Sequence, residues 1–106
     1  MVIKRFEIYF VQLDPAIGTE INRIRPCVIV SPNEMNTALQ TVIVAPLTST
    51  IRNYPSRVNC FVEGKSGQIA LDQLRAIDKQ RWKSKLATLD NQTCKAVVAR
   101  LLEIFE

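Results

Sequence analysis

The sequence predicts a mainly β fold with segregated helices, an α+β chain curled into a small barrel or a strongly bent sheet. Three observations carry this expectation: a succession of short β-branched and aromatic runs, turn residues between them, and one change of hydrophobic period near residue 90.

The runs come first. EIYFVQL (7–13) sets Ile8, Phe10 and Gln12 against Tyr9, Val11 and Leu13, the two-residue alternation of a strand. CVIV (27–30), TVIVAPL (41–47) and RVNCFV (57–62) are rich in residues that favour strands, and QIAL (68–71) is a shorter run of the same kind. Between them stand turn formers: Asp14-Pro15 with Gly18, Ser31-Pro32-Asn33, the segment 53–56 around Pro55, and Glu63 to Gly67. From Asp90 the apolar positions Cys94, Val97, Val98, Leu101, Leu102 and Phe105 recur at three and four, so a C-terminal amphipathic helix is expected, capped by Asp90 or Asn91. A shorter helix is expected around 78–82, capped by Asp78 and anchored by Trp82.

Composition narrows the chemistry. At 106 residues, 47% hydrophobic and 23% charged, the chain reads as one globular domain spanning 1–106. Its formal charge of +4 suits an anionic partner such as nucleic acid. The three cysteines, Cys27, Cys60 and Cys94, are odd in number and sit among apolar neighbours, which suits buried thiols in a reducing cytoplasm. No run reaches the length of a membrane span, and Glu7 interrupts the apolar N-terminal stretch that a signal peptide needs. With no histidine in the chain, His-based triads are excluded and neither a metal site nor a cofactor is expected.

Four polar clusters are candidates for chemistry. The segment 14–26, DPAIGTEINRIRP, is a polar stretch between two apolar runs, and Pro26 biases Arg25 towards extended backbone where the next strand begins. An arginine held there can grip a phosphate at two points, although solvation or pairing with Glu20 is the commoner use of a loop arginine. Thr48, Ser49 and Thr50 end an apolar strand in three hydroxyls, which either bond a phosphate oxygen or cap the turn. Asp72 and Gln73, followed by Arg75, break a sheet-like run, with a structural hydrogen bond as the alternative to base reading. Arg52, Tyr54 and Arg57 place an aromatic ring between two cations, a pattern that stacks a base and holds its backbone.

In order along the chain, DPAIGTE with the later Arg25-Pro26, then VIVAPLTS, PSRV and IALDQLRAIDKQRW closely resemble the MazF/PemK toxins of bacterial toxin–antitoxin pairs, from about Lys4 to Asp90. The resemblance implies an SH3-like barrel of the PemK/CcdB type that forms a homodimer. It implies sequence-specific, metal-independent cleavage of single-stranded RNA, and neutralisation by a cognate MazE-like antitoxin whose acidic tail fills the RNA groove. Carried over residue by residue, it falls on Glu20, Arg25, Pro26, Thr48, Asp72 and Gln73. With the clusters above, catalysis is expected of Arg25, Thr48 and Glu20, and RNA contacts of Thr19, Arg23, Ser49, Arg52, Tyr54, Arg57, Asp72 and Gln73. Arg25 would stabilise charge, Thr48 would position the phosphate, and Glu20 would act as base, since a guanidinium with a pKa above about 12 is a poor proton acceptor. Three positions depart from the pattern: Thr19 stands where some members have histidine, Ala70 where some have arginine, and Phe6 where a glycine is usual. A gyrase-poisoning toxin of the CcdB type, a catalytically silent RNA-binding module and a plain structural domain are the alternatives. The first depends on a C-terminal tryptophan, and this chain ends in Ile104, Phe105 and Glu106.

Overall fold

The computed structural model describes residues 2–14 and 23–106. Seven strands are described: β1 (Glu7–Asp14), β2 (Arg23–Ile29), β3 (Thr41–Thr48), β4 (Arg57–Val62), β5 (Lys65–Ala70), β6 (Arg75–Asp78) and β7 (Trp82–Thr88). Two α-helices join them, α1 (Asn33–Ala38) and the C-terminal α2 (Asn91–Ile104), and single 3-10 turns span Leu71–Gln73 and Lys79–Arg81. The ladders are antiparallel and run β4-β5-β3-β2-β1-β7, with β6 also paired to β3.

Both faces of the sheet are covered, and the two-residue alternation sorts the side chains between two cores. Ile8, Val28 and Ala45 are register partners in one cluster, which Val58, Ile69 and Val97 of α2 complete. Tyr9 and Cys27 are register partners in the other, with Val11, Ile29, Val42, Val44 and Ile77. Tyr9 stacks on Trp82 at 5.6 Å between ring centroids, and its hydroxyl donates to Glu7 at 3.0 Å. Burial and the neighbouring carboxylate push that hydroxyl's pKa up to about 12. Burial alone would raise Glu7, but the Lys85 ammonium, the Lys4 amide and Tyr9 outweigh it and hold the carboxylate below its usual range.

Several expectations need correction. The strand expected over 27–30 begins at Arg23, because β1 pairs with it as far as Asp14↔Arg23, so Arg25 and Pro26 lie within β2. The β3 ladder joins β2 only from Cys27, so on that side the missing N–H of Pro26 interrupts nothing. The turn at Ser31-Pro32-Asn33 leads into α1, a helix too short to show periodicity. Asn36 holds it instead, its side-chain amide donating to the Ser31 carbonyl at 3.0 Å while the Ser31 hydroxyl bonds the Asn36 side chain. The helix expected around 78–82 is one 3-10 turn, capped by Asp78 accepting from the Gln80 amide at 2.8 Å, and Trp82 opens β7. QIAL is the end of a longer strand, with Leu71 passing into a 3-10 turn. The broad turn expected from Glu63 to Gly67 is two residues, Glu63 and Gly64, with φ of 51° and 75°, the left-handed pair of a tight hairpin. α2 forms as expected, with Asp90 accepting from the Thr93 amide at 3.1 Å. Among the described residues no helix is long and apolar enough to cross a membrane.

Phe6 has a φ of 71°, a left-handed conformation that disfavours a β-carbon, and this is the position where a glycine is usual in the resembled family. Its amide donates to the Ile29 carbonyl at 2.7 Å and its carbonyl accepts from the Leu89 amide at 3.0 Å, so the strained turn ties β1 to β2 and to the segment before α2. The ring packs against the α2-side core, with the Arg5 guanidinium 4.8 Å from its centroid. At an ordinary position glycine is less stable than alanine by about 1 kcal/mol, but here a β-carbon costs about 1–2 kcal/mol and the order should invert. Phe6→Gly is therefore expected to be more stable than Phe6→Ala in urea denaturation. Equal midpoints, or a more stable Phe6→Ala, would contradict the strain.

Candidate active site cleft

The end of β3 is where the fold builds a cleft. On one edge of β3, residues 41–44 pair with β6 and residues 47–48 pair with β5, while residues 44–46 pair with β2 on the other edge. The strand is thus flanked by β2 and β5 as it ends at Thr48. Between them opens a cleft of about 570 Å³ lined by Phe10, Arg25 and Pro26, by Thr48, Ser49 and Thr50, and by Cys60 and the β4–β5 hairpin from Val62 to Gly67. Leu86 of β7 completes the wall.

Arg25, from β2, Thr48, which ends β3, and Ser49 after it line this same cleft although 22 residues of chain lie between Arg25 and Thr48. Arg25 is exposed. The Thr48 hydroxyl oxygen accepts from the Thr50 amide at 3.1 Å, which leaves its proton free to donate outward. A guanidinium beside hydroxyl donors is a composition that binds a phosphate oxygen and the charge that builds on it. Cys60 also faces the cleft, but burial, with a smaller contribution from Asp90, pushes its thiol pKa up, so it stays protonated and poorly nucleophilic at neutral pH.

Gly67 is required for this arrangement. A β-carbon there would lie 2.8 Å from the Thr48 carbonyl oxygen, a backbone atom with no rotamer to yield. Gly67→Ala should cost about 1–3 kcal/mol, the range for forcing an atom into a packed site, measured by urea denaturation. An unchanged midpoint would show that the end of β3 moves freely.

The second predicted group gathers around Asp72. The Arg57 Nε donates to Asp72 Oδ1 at 2.8 Å and its terminal nitrogen to Oδ2 at 3.4 Å, with the Ser56 hydroxyl adding a third bond at 3.0 Å. The Arg57 side chain is only 7% exposed, and Tyr54 lies against it with the guanidinium 5.2 Å from the ring centroid. Arg57 and Asp72 are therefore committed to each other, whereas the half-exposed ring of Tyr54 and the exposed Gln73 keep surface available. Arg57 is also the register partner of buried Ala70, so the guanidinium of this region comes from β4 and is already paired. Thr19 and Glu20 lie outside the described residues, as does the side chain of Arg23. Sequence reasoning missed Lys65 and Ser66, which line the cleft from the hairpin. Their only signal was a lysine in what read as turn residues.

The Arg57 guanidinium, aided by Ser56, holds the Asp72 carboxyl below its ordinary value of 3.8. A carboxylate with a lowered folded pKa contributes its stability above its unfolded value and loses it as pH falls through the folded one. Parent and Asp72→Asn should therefore differ at neutral pH by no more than about 1 kcal/mol, since the carboxylate is partly exposed. The difference should shrink as pH drops below 3.8. A pH-independent difference in denaturation midpoints would assign the effect to packing.

The fold and the cleft together define a small antiparallel β scaffold whose cleft is lined by Arg25 and the hydroxyls of Thr48, Ser49 and Thr50, and comparison with known proteins gives the family. Residues 4–105 match the family model described as PemK-like, MazF-like toxin of type II toxin-antitoxin system, and the chain belongs to that family. It is 32% identical over 98 residues to a protein named Endoribonuclease EndoA from Bacillus subtilis, covering 87% of this chain and 84% of that one. It is 33% identical over 102 residues to Endoribonuclease MazF from Staphylococcus saprophyticus, covering 91% and 85%. Among solved structures, a MazE-MazF complex from Deinococcus radiodurans superposes with a TM-score of 0.84 at 24% identity, covering 99% of this chain and 96% of that chain. An endoribonuclease in complex with its cognate antitoxin from a mycobacterial species gives 0.82 at 22% identity, covering 97% and 94%. The fold is thus shared with MazF toxins, and the gyrase-poisoning and plain structural alternatives have no support.

Proposed function

We propose that this chain is an mRNA interferase, an endoribonuclease toxin that cuts single-stranded RNA at specific sequences without a metal ion. The observation that carries the reading is the meeting of Arg25 with Thr48 and Ser49 in one open cleft. Two relatives named endoribonucleases support it.

In the proposed reaction the ribose 2′-oxygen attacks the adjacent phosphorus and the bond from phosphorus to the 5′-oxygen breaks. This leaves a 2′,3′-cyclic phosphate and a 5′-hydroxyl. One group takes the 2′-proton and another supplies a proton to the leaving oxygen. Glu20 is our candidate for the first role. Arg25 stabilises the charge on the equatorial oxygens, and Thr48 donates its hydroxyl to hold the phosphate in place. Arg23, Ser49, Arg52, Tyr54, Gln73 and Thr19 are the candidate contacts for flanking nucleotides. Arg57 and Asp72 contribute by holding the wall on which Tyr54 sits.

The partners follow from the same surface. A cognate MazE-like antitoxin with an acidic segment would compete for the cationic cleft, in keeping with the solved toxin–antitoxin complexes of the shared fold. A homodimer is the proposed assembly, and the exposed Phe61, Leu102 and Phe105 provide apolar surface for association. The cytoplasm is the proposed location, where three free cysteines stay reduced.

Arg25→Ala should leave circular dichroism and the denaturation midpoint nearly unchanged, because the side chain is exposed. Cleavage of single-stranded RNA in the presence of a chelator should fall at least about a hundredfold, the scale of losing one transition-state contact. Arg25→Lys should restore little, since an ammonium cannot make the planar two-point contact. A folded Arg25→Ala protein that cuts within a few-fold of the parent would overturn the assignment. Mapping the 5′ ends of the cut RNAs would read out the sequence preference.

A further inference from the structure

The segment 49–56 that follows Thr48 has no regular secondary structure, yet it enters the cleft at Ser49 and Thr50 and goes on to carry the exposed Arg52 and Tyr54. A side chain reaching from β5 substitutes for the missing ladder. The Gln68 Oε1 accepts from the Arg52 amide at 3.0 Å, and its Nε2 donates to the Arg52 carbonyl at 3.2 Å. The same Nε2 donates to the Asn59 Oδ1 of β4 at 3.0 Å. Gln68 thereby satisfies both backbone groups of one loop residue, as a neighbouring strand would.

The placement of Gln68 makes this grip rigid. The residue is 5% exposed, lies in the middle of β5, and is the register partner of both Thr48 and Asn59. The loop is also fixed at its two ends, by Thr48 and the Thr50 amide at the start and by Ser56, whose carbonyl accepts from the Leu71 amide at 3.1 Å, at the finish. Between those ends Gln68 holds the backbone of Arg52, and the Tyr54 carbonyl accepts from the Arg57 amide at 3.1 Å. Among the described residues the Arg52 guanidinium itself makes only a long 3.4 Å bond to the neighbouring Ile51 carbonyl and remains exposed.

We propose that Gln68 is a positioning residue for substrate recognition: through the backbone of Arg52 it holds the 49–56 loop so that the Arg52 guanidinium and the Tyr54 ring meet the nucleotides flanking the scissile phosphate. This rests on the ribonuclease reading of the cleft. Gln68 touches no reacting atom, so its loss should weaken substrate capture and leave the chemical step, carried by Arg25 and Thr48, largely intact.

The test uses Gln68→Met, which keeps length and burial and removes both bonds to Arg52 together with the one to Asn59. With a single-stranded RNA oligonucleotide that the parent cleaves, KM should rise about tenfold, the scale of two neutral hydrogen bonds, while kcat stays within about threefold. In an Arg52→Ala, Tyr54→Ala background the same change should raise KM less than about twofold, because the groups it positions are gone. Independently of RNA, hydrogen exchange at the Arg52 amide should accelerate at least about tenfold in Gln68→Met while β3 and β5 amides keep their protection. Should Gln68→Met not fold, Gln68→Glu carries the KM and double-alanine measurements but not the exchange measurement, since it keeps an acceptor for the Arg52 amide and loses the donor to its carbonyl. Its KM should then lie above the parent's. A parent that cleaves no RNA would sink the ribonuclease reading and this role with it. A parent that cleaves, beside a folded Gln68→Met with parental KM, parental Arg52 exchange or a full effect in the double-alanine background, or a folded Gln68→Glu with parental KM, would sink the positioning role alone.

Discussion

Strand β3 is the constraint on which the rest of the molecule depends. It pairs with β2 on one edge and with β6 and then β5 on the other, so a single eight-residue strand organises most of the sheet. A strand shared in this way cannot lie in a flat sheet, because successive partners on one edge must diverge as the sheet twists. The divergence brings the β4–β5 hairpin towards β2, and the cleft lies where they face each other across the end of β3. Thr48 occupies that end because Gln68 pairs with it and because Gly67 lets the backbones approach.

Two-sided burial stabilises this arrangement. Neighbouring residues along β1, β2 and β3 enter opposite cores, so a one-residue slip of register would exchange the two clusters and place small side chains where large ones pack. Full burial of a valine or isoleucine side chain contributes about 1.5–3 kcal/mol, and many of the residues in these clusters are almost wholly covered. The strained φ of Phe6 is tolerated in that context, since backbone bonds to Ile29 and Leu89 and the packed ring hold it in place.

The polar groups divide by the same geometry into holders and presenters. Arg57, Asp72, Ser56 and Gln68 are occupied with one another or with backbone, and they hold the segment that follows Thr48. Arg25, Ser49, Arg52 and Tyr54 keep exposed surface for a ligand. Sequence alone placed Arg57 among the RNA contacts because charge beside an aromatic residue reads as a binding surface, and Asp72 because an acid and an amide break a sheet-like run and match the resembled family's motif. In the fold they face each other across 15 residues of chain and neutralise each other.

What the sequence determined by itself was the alternation that makes strands and the three-and-four spacing that makes α2, since both are local periodicities set by backbone geometry. The capping of α2 by Asp90 and the Gly64 turn were legible for the same local reason. The family was legible because the order of motifs along the chain survives without any knowledge of contacts. Only the tertiary structure decided that Arg25 and Pro26 join β2, that the charged runs 75–78 and 82–88 become strands, and that α1 is a helix. Each depends on a partner distant in sequence: β1 for Arg25, β3 for β6, β1 for β7, and for α1 the contacts of Ser31 with the Ile43 amide and of Asn33 with the Arg5 amide. The grip of Gln68 on Arg52 belongs to the same class, because a buried amide looks like any other strand residue until the loop it holds has been folded against it.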